Sequence, residues 1–332
     1  MTRINGPPAV GDETRSAREA GASTLDELFA PVSPKEFVET YWGRRALYVK
    51  GPAGKFAGLF DSRRFDAAIR EAFDDPYADR FRLAALVETS SERPLTLSFM
   101  RPITPDEVEG SMREGMTICV NDIGAGDAKL RTFARTIRKE MSYAGSVHVN
   151  CYRSPSRSGA PFHIDSRMTT TLQIEGRKRW RYGAEPAVPW PPSNAQVRRD
   201  GSPEWLVPVA DDWAHLERPD GNALQEVVLE PGDLLCLPAG TWHETEAIGG
   251  SLALNLSFGP LSFATIVGSI LDMGMGDRVE WRGGVPPVAG AKPGEMPSVV
   301  SEYMRARLRE ARDFLAGLDT HDVVELWDRF TP

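Results

Sequence analysis

Pro161-Phe162-His163-Ile164-Asp165 is the stretch on which the reading of this chain turns. On a β-strand, residues two apart project from one face, so the His163 imidazole and the Asp165 carboxylate approach one point together. One further ligand then completes two histidines and a carboxylate on one face of an octahedral ion, the arrangement of non-haem Fe(II) oxygenases. His243 is the candidate, closing the run Pro231-Gly232-Asp233-Leu234-Leu235-Cys236-Leu237-Pro238-Ala239-Gly240-Thr241-Trp242-His243. Taken singly these elements are weak, since an HxD arises by chance and a histidine beside Trp242 often only packs. Their contexts add weight. Residues 167–174 are rich in Thr, Leu and Ile and end at Gly176, as a strand does. Pro231 and Gly232 suit the centre of a type II turn leading into the apolar run 234–237. Two strands, each ending in a ligand, make a cupin-type double-stranded β-helix.

A cation follows in Leu172-Gln173-Ile174-Glu175-Gly176-Arg177-Lys178-Arg179-Trp180-Arg181-Tyr182, past a turn expected at Gly176. Alternation puts Lys178 and Trp180 on one face and Arg177, Arg179 and Arg181 on the other. The preferred reading has Lys178 inside the barrel and the arginines outside; a wholly solvated basic edge is the alternative. A buried lysine needs an anion, and a dicarboxylate cosubstrate would supply one.

Together these blocks, with Val149-Asn150-Cys151-Tyr152-Arg153-Ser154-Pro155 and the N-terminal Phe37–Val49 segment, resemble the JmjC-type Fe(II)- and 2-oxoglutarate-dependent oxygenases, in particular their ribosomal oxygenase (cupin-4) branch. The resemblance spans most of residues 25–260. It implies a mainly β fold, a JmjC jelly roll with an N-terminal α/β segment and C-terminal helices. It also implies His163, Asp165 and His243 as the Fe(II) triad, Lys178 as the partner of the far carboxylate of 2-oxoglutarate, and Asn150 and Tyr152 as pocket residues. Thr169 and Thr171 share strand parity with the HxD, and Asn255 and Ser257 alternate in the apolar strand 252–258. The two threonines should therefore face the cavity, whereas Asn255 and Ser257 either line it or face solvent while the leucines form the core. The implied activity is hydroxylation of a side chain in a protein or peptide, with 2-oxoglutarate and O2 as cosubstrates. A tailoring hydroxylase of a small precursor peptide, a non-oxygenase metal cupin and a catalytically silent binding module are the alternatives. Ser166-Arg167-Met168-Thr169 departs from the branch's usual continuation, so substrate identity is not inherited.

Along the chain, residues 1–23 read as a flexible leader and 24–145 as a helical and strand segment packing on the barrel. Residues 146–260 read as the barrel, interrupted by a Pro- and Trp-rich insertion at 185–219. Residues 261–332 read as a C-terminal helical region. The insertion's aromatics either cover the barrel mouth as a lid or pack on its wall. The amphipathic stretch 298–318 suits a partner helix, so a homodimer is expected. A net charge of -8 argues against direct nucleic-acid binding. Cys119, Cys151 and Cys236 have no CxxC spacing and point to a reducing, cytoplasmic setting. The longest apolar stretch, around 263–271, is too short to span a bilayer.

Overall fold

The computed structural model describes residues 23–86, 100–198, 200–209, 216–218, 221–290, 292 and 294–331. The leader expected at 1–23 lies almost wholly outside them. The chain divides into two compact units, one of residues 1–141 and 146–259, the other of residues 142–145 and 260–332.

The first unit is built on antiparallel strands: β1 Leu47–Val49, β2 Arg82–Leu86, β3 Met100–Pro102, β4 Ile118–Asn121, β5 Ser146–Ser154, β6 His163–Ile164, β7 Met168–Tyr182, β8 Ala195–Val197, β9 Pro203–Trp205, β10 Gln225–Leu229, β11 Leu234–Leu237 and β12 His243–Gly259. They pair in the order β1-β11-β7-β12-β5-β4-β2-β3, with β10 on β7, and β6 joining β12 to β8 and β9. This is a mainly antiparallel jelly roll with helical additions, the fold class that the sequence implied. Glu230–Asp233 forms the turn into β11: Gly232 takes φ +96° and the Asp233 N–H donates to the Glu230 carbonyl at 2.9 Å.

Two features differ from the sequence reading. Gly176 does not reverse the chain; β7 bulges near it and runs on, because β12 pairs with both halves of β7. His243 opens β12 and follows, rather than closes, the strand 234–237.

The helices follow from their caps and apolar spacing. Asp61 caps Ser62–Asp74, and Asp127 caps Ala128–Glu140 by accepting from the Lys129 and Leu130 N–H groups. Each buries one stripe, Phe65, Ala68, Ile69 and Ala72 in the first, and Leu130, Phe133, Ala134 and Ile137 in the second. Between them Gly126 is obligatory, since a Cβ there would lie 1.8 Å from the Ala68 carbonyl oxygen. The second helix packs on β5. On β12, Leu252, Leu254, Leu256 and Phe258 alternate with Ala253, Asn255 and Ser257, and all are buried. Both faces of this strand are therefore covered, which excludes a solvent-facing Asn255 and Ser257.

The second unit holds the helices Phe263–Met275, Val279–Arg282, Ser298–Ala316 and Thr320–Phe330. Gly274 gives Phe314 room to approach, as a Cβ there would meet the ring at 2.1 Å. Trp281 Nε1 donates to Glu310 Oε2 at 2.9 Å, and the Tyr303 hydroxyl donates to the Glu280 carbonyl at 2.8 Å. Among the described residues, no helix is long and apolar enough to cross a membrane.

Candidate active site

His163 lies on β6, directly opposite His243 at the start of β12. Asp165 follows β6 in the short connection to β7, where its carbonyl accepts the Gly240 N–H at 2.8 Å. One ligand atom from each of His163, Asp165 and His243 lies within 4.8 Å of the others. The imidazole centroids are 4.1 Å apart, and His243 Nε2 is 3.8 Å from Asp165 Oδ2.

The surroundings orient each ligand. His163 Nδ1 lies 2.6 Å from the Pro161 carbonyl and His243 Nδ1 2.9 Å from that of Thr241. Each Nδ1 donates to the carbonyl two residues back, so both Nε2 lone pairs are left for a cation. Burial, then repulsion from His163, brings His243 down to about 4 against the opposing pull of Asp165. It is neutral near pH 7, as a metal ligand must be. Asn194 Nδ2 donates to Asp165 Oδ1 at 3.1 Å, while its own Oδ1 accepts the Ser166 N–H at 2.8 Å. One carboxylate oxygen is thereby fixed, and Oδ2 faces His243.

Sequence reasoning missed Asn194. It belongs to the 185–219 insertion, where no periodicity marks a side chain as inward. Of the described aromatics of that insertion, Trp205 packs on the apolar cluster of Phe162, Ile164, Ala195, Leu216 and Trp242, and Trp190 lies against Gly43. Trp213 lies outside the described residues.

Lys178 is 3% exposed, whereas Arg177 is exposed and Arg179 and Arg181 ion-pair with Glu226, Glu244 and Glu246. Among the described residues no carboxylate comes within ion-pair distance of Lys178. Its Nζ lies over the Tyr152 ring, 5.7 Å from the centroid. Burial pushes its pKa down to about 8. Burial also raises Tyr152 well above the usual phenol range, so that group stays neutral.

The remaining candidates fall in cross-strand rows. Asn150 on β5 stands opposite Asn255 on β12, and Asn255 opposite Thr171 on β7; the next row along holds His148, Ser257 and Thr169. Tyr152 shares the Asn150 face, two residues on. Thr169, Thr171, Asn255 and Ser257 are buried, and the Asn255 amide oxygen has no hydrogen-bond partner among the described residues. Asn150 is half-buried and its Oδ1 accepts the Asp122 N–H at 3.0 Å. Arg153, the next basic residue along, leaves this pocket for Asp66 and Glu109 at 3.6 and 3.3 Å.

The donor set suits a divalent transition ion with open positions, since two imidazoles and one carboxylate make a facial triad. A buried, unpaired ammonium suits the free carboxylate of a chelating oxo acid. The residues present therefore fit both groups.

Comparisons with known proteins bear on the family and the fold. Residues 128–266 match the family described as "JmjC domain". The chain is similar to "Ribosomal oxygenase 1" of Gallus gallus, 26% identical over 81% of this chain and 43% of that protein. It is also similar to the Homo sapiens protein of that name, 27% identical over 82% and 40%. The chain thus spans less than half the length of these relatives. Among solved structures it resembles the Escherichia coli ribosomal oxygenase YcfD "in complex with Cobalt and 2-oxoglutarate", with TM-score 0.55, 18% identity and coverage of 90% and 71%.

Proposed function

We propose, from the premise that residues 128–266 form a JmjC domain, that the chain is an Fe(II)- and 2-oxoglutarate-dependent hydroxylase of a protein or peptide side chain. The observation that carries the reading is Lys178, buried without an acidic partner among the described residues in the barrel that also gathers His163, Asp165 and His243. A structural metal would not need that lysine; a chelating dicarboxylate would. The names of several relatives support a protein substrate, since these are ribosomal oxygenases and proteins described as "Bifunctional lysine-specific demethylase and histidyl-hydroxylase NO66".

In this reading His163, Asp165 and His243 would hold iron, and iron so held supplies oxygen activation coupled to oxidative decarboxylation of 2-oxoglutarate to succinate and carbon dioxide. The chain's own groups bind and orient. Asn194 keeps Asp165 Oδ1 engaged so that Oδ2 is presented to the cation. The Pro161 and Thr241 carbonyls hold the imidazole tautomers. Lys178 anchors the far carboxylate and Tyr152 packs beside it, while Asn150, Thr171, Asn255 and Ser257 give the pocket a polar lining. Trp180 and Trp242 shield the ligand side from bulk water. The three cysteines are buried free thiols, which supports a reducing compartment such as the cytoplasm.

The test is incubation with Fe(II), ascorbate, 2-oxoglutarate and a peptide pool from ribosomal proteins, read by mass spectrometry. A peptide that gains one oxygen atom with the wild-type chain and not with His163→Ala supports the reading. Succinate formation with no oxidised peptide in that pool or in a total lysate digest would remove the protein-substrate part. No succinate at all would favour a metal cupin without oxygen chemistry.

A further inference from the structure

Trp180 lies between the two ends of the proposed site. On β7 it is two residues from Lys178 and two from Tyr182, and Tyr182 stands opposite His243 on β12. At a rise of roughly 3.3 Å per residue, a dicarboxylate reaching from the His163, Asp165 and His243 cluster to Lys178 passes the Trp180 row. The indole is 7% exposed and stacks on His243, with centroids 5.7 Å apart and planes 17° from parallel. Its Nε1 is buried and has no hydrogen-bond partner among the described residues.

Two other described tryptophans do not share this condition. Trp242 Nε1 donates to the Glu217 carbonyl and Trp281 Nε1 to Glu310. A buried indole N–H ordinarily finds an acceptor, because leaving the donor unmade costs its full desolvation. Packing against Tyr182, Leu229, Leu235 and Leu237 explains why the ring is buried. It does not explain the unused donor.

We propose that the Trp180 indole N–H is reserved for a ligand oxygen and donates to the carboxylate or keto oxygen of the bound oxo acid, making Trp180 a third anchor between the metal ligands and Lys178. This rests on the proposed function. It is a hydrogen bond only, and no proton or electron is transferred.

Trp180→Phe tests it by keeping an aromatic ring on His243 while deleting the N–H. Calorimetric titration of 2-oxoglutarate into the full-length, Mn(II)-loaded protein without oxygen is compared for wild type and W180F. The expected result is unchanged Mn(II) affinity, 2-oxoglutarate binding about tenfold or more weaker, and a ligand-free Tm no lower than wild type. Equal 2-oxoglutarate affinity in the two proteins overturns the inference. A wild-type protein that binds Mn(II) but no 2-oxoglutarate overturns the proposed function first, and is a distinguishable outcome. Should W180F fail to fold, wild type with 15N-labelled tryptophan and Zn(II) replaces it. One of the eight indole N–H signals must then move when 2-oxoglutarate is added, and no movement overturns the inference.

Discussion

Asp165 shows how much of a proposed metal site lies beyond its candidate ligands. Its carboxylate would turn freely without Asn194, which holds Oδ1 at 3.1 Å. Asn194→Ala is therefore expected to weaken divalent metal binding by about tenfold or more while leaving the fold intact, as read by Mn(II) titration and thermal melting; unchanged affinity would show that Asp165 is held some other way. Lys178 makes a second prediction with a definite sign. Its pKa falls from 10.5 to about 8 on burial, so between those values the unfolded chain carries a proton that the folded chain lacks. Stability from this group then rises with pH through that window, and its cost is greatest below pH 8. Lys178→Met should be more stable than wild type near neutral pH, by a few kcal/mol at order of magnitude, and the gap should close as pH rises above 8. Denaturant melts of both proteins across pH 7–10 check this; a gap independent of pH would contradict it. The candidate ligands and Lys178 could be singled out in the sequence because strand parity and spacing leave a trace, and the fold gathers the three candidate ligands. Asn194 was not, since only the fold brings residues 165 and 194 together.

Among the elements, the turn between β11 and β12 couples most directly to the site. Gly240 has φ +83°, and a Cβ there would lie 1.7 Å from the Val188 carbonyl oxygen. Its N–H also fixes the Asp165 carbonyl. Gly240→Ala must therefore push the 185–219 insertion off the turn that delivers His243. A loss of about 2 kcal/mol or more in stability, together with weaker metal binding, is expected from melts and Mn(II) titration; a variant as stable as wild type would show that the turn relaxes. At this scale the sequence carries local signals, caps and apolar stripes, such as Asp61 before the helix Ser62–Asp74 and Asp127 before Ala128–Glu140. It misled at Gly176, because a glycine with positive φ serves a bulge as well as a turn, and the pairing partner that decides between them is β12, some 70 residues on in the sequence.

For the whole molecule, the two units have different character. The first closes a sheet over a polar interior. In the second, Val299, Met304 and Leu308 on the helix Ser298–Ala316 and Val324 and Trp327 on Thr320–Phe330 are exposed. We propose that this apolar surface pairs with a second copy, the homodimer expected from the amphipathic pattern. Light scattering at micromolar concentration should give about twice 36.6 kDa, falling to a monomer mass when Leu308 and Trp327 are changed to Ser; 36.6 kDa for wild type at every concentration would contradict it. In the first unit, on the proposed function, one barrel presents a facial triad at one place and an anion anchor at another to the same oxo acid. Anaerobic titration of Fe(II) and 2-oxoglutarate, followed by visible charge-transfer absorption of the chelate, tests this most directly. The account predicts a saturable band for wild type, loss of the band in His163→Ala and His243→Ala, and a band requiring more 2-oxoglutarate in Lys178→Ala. A wild-type protein without the band, or histidine variants that retain it in full, would contradict the account.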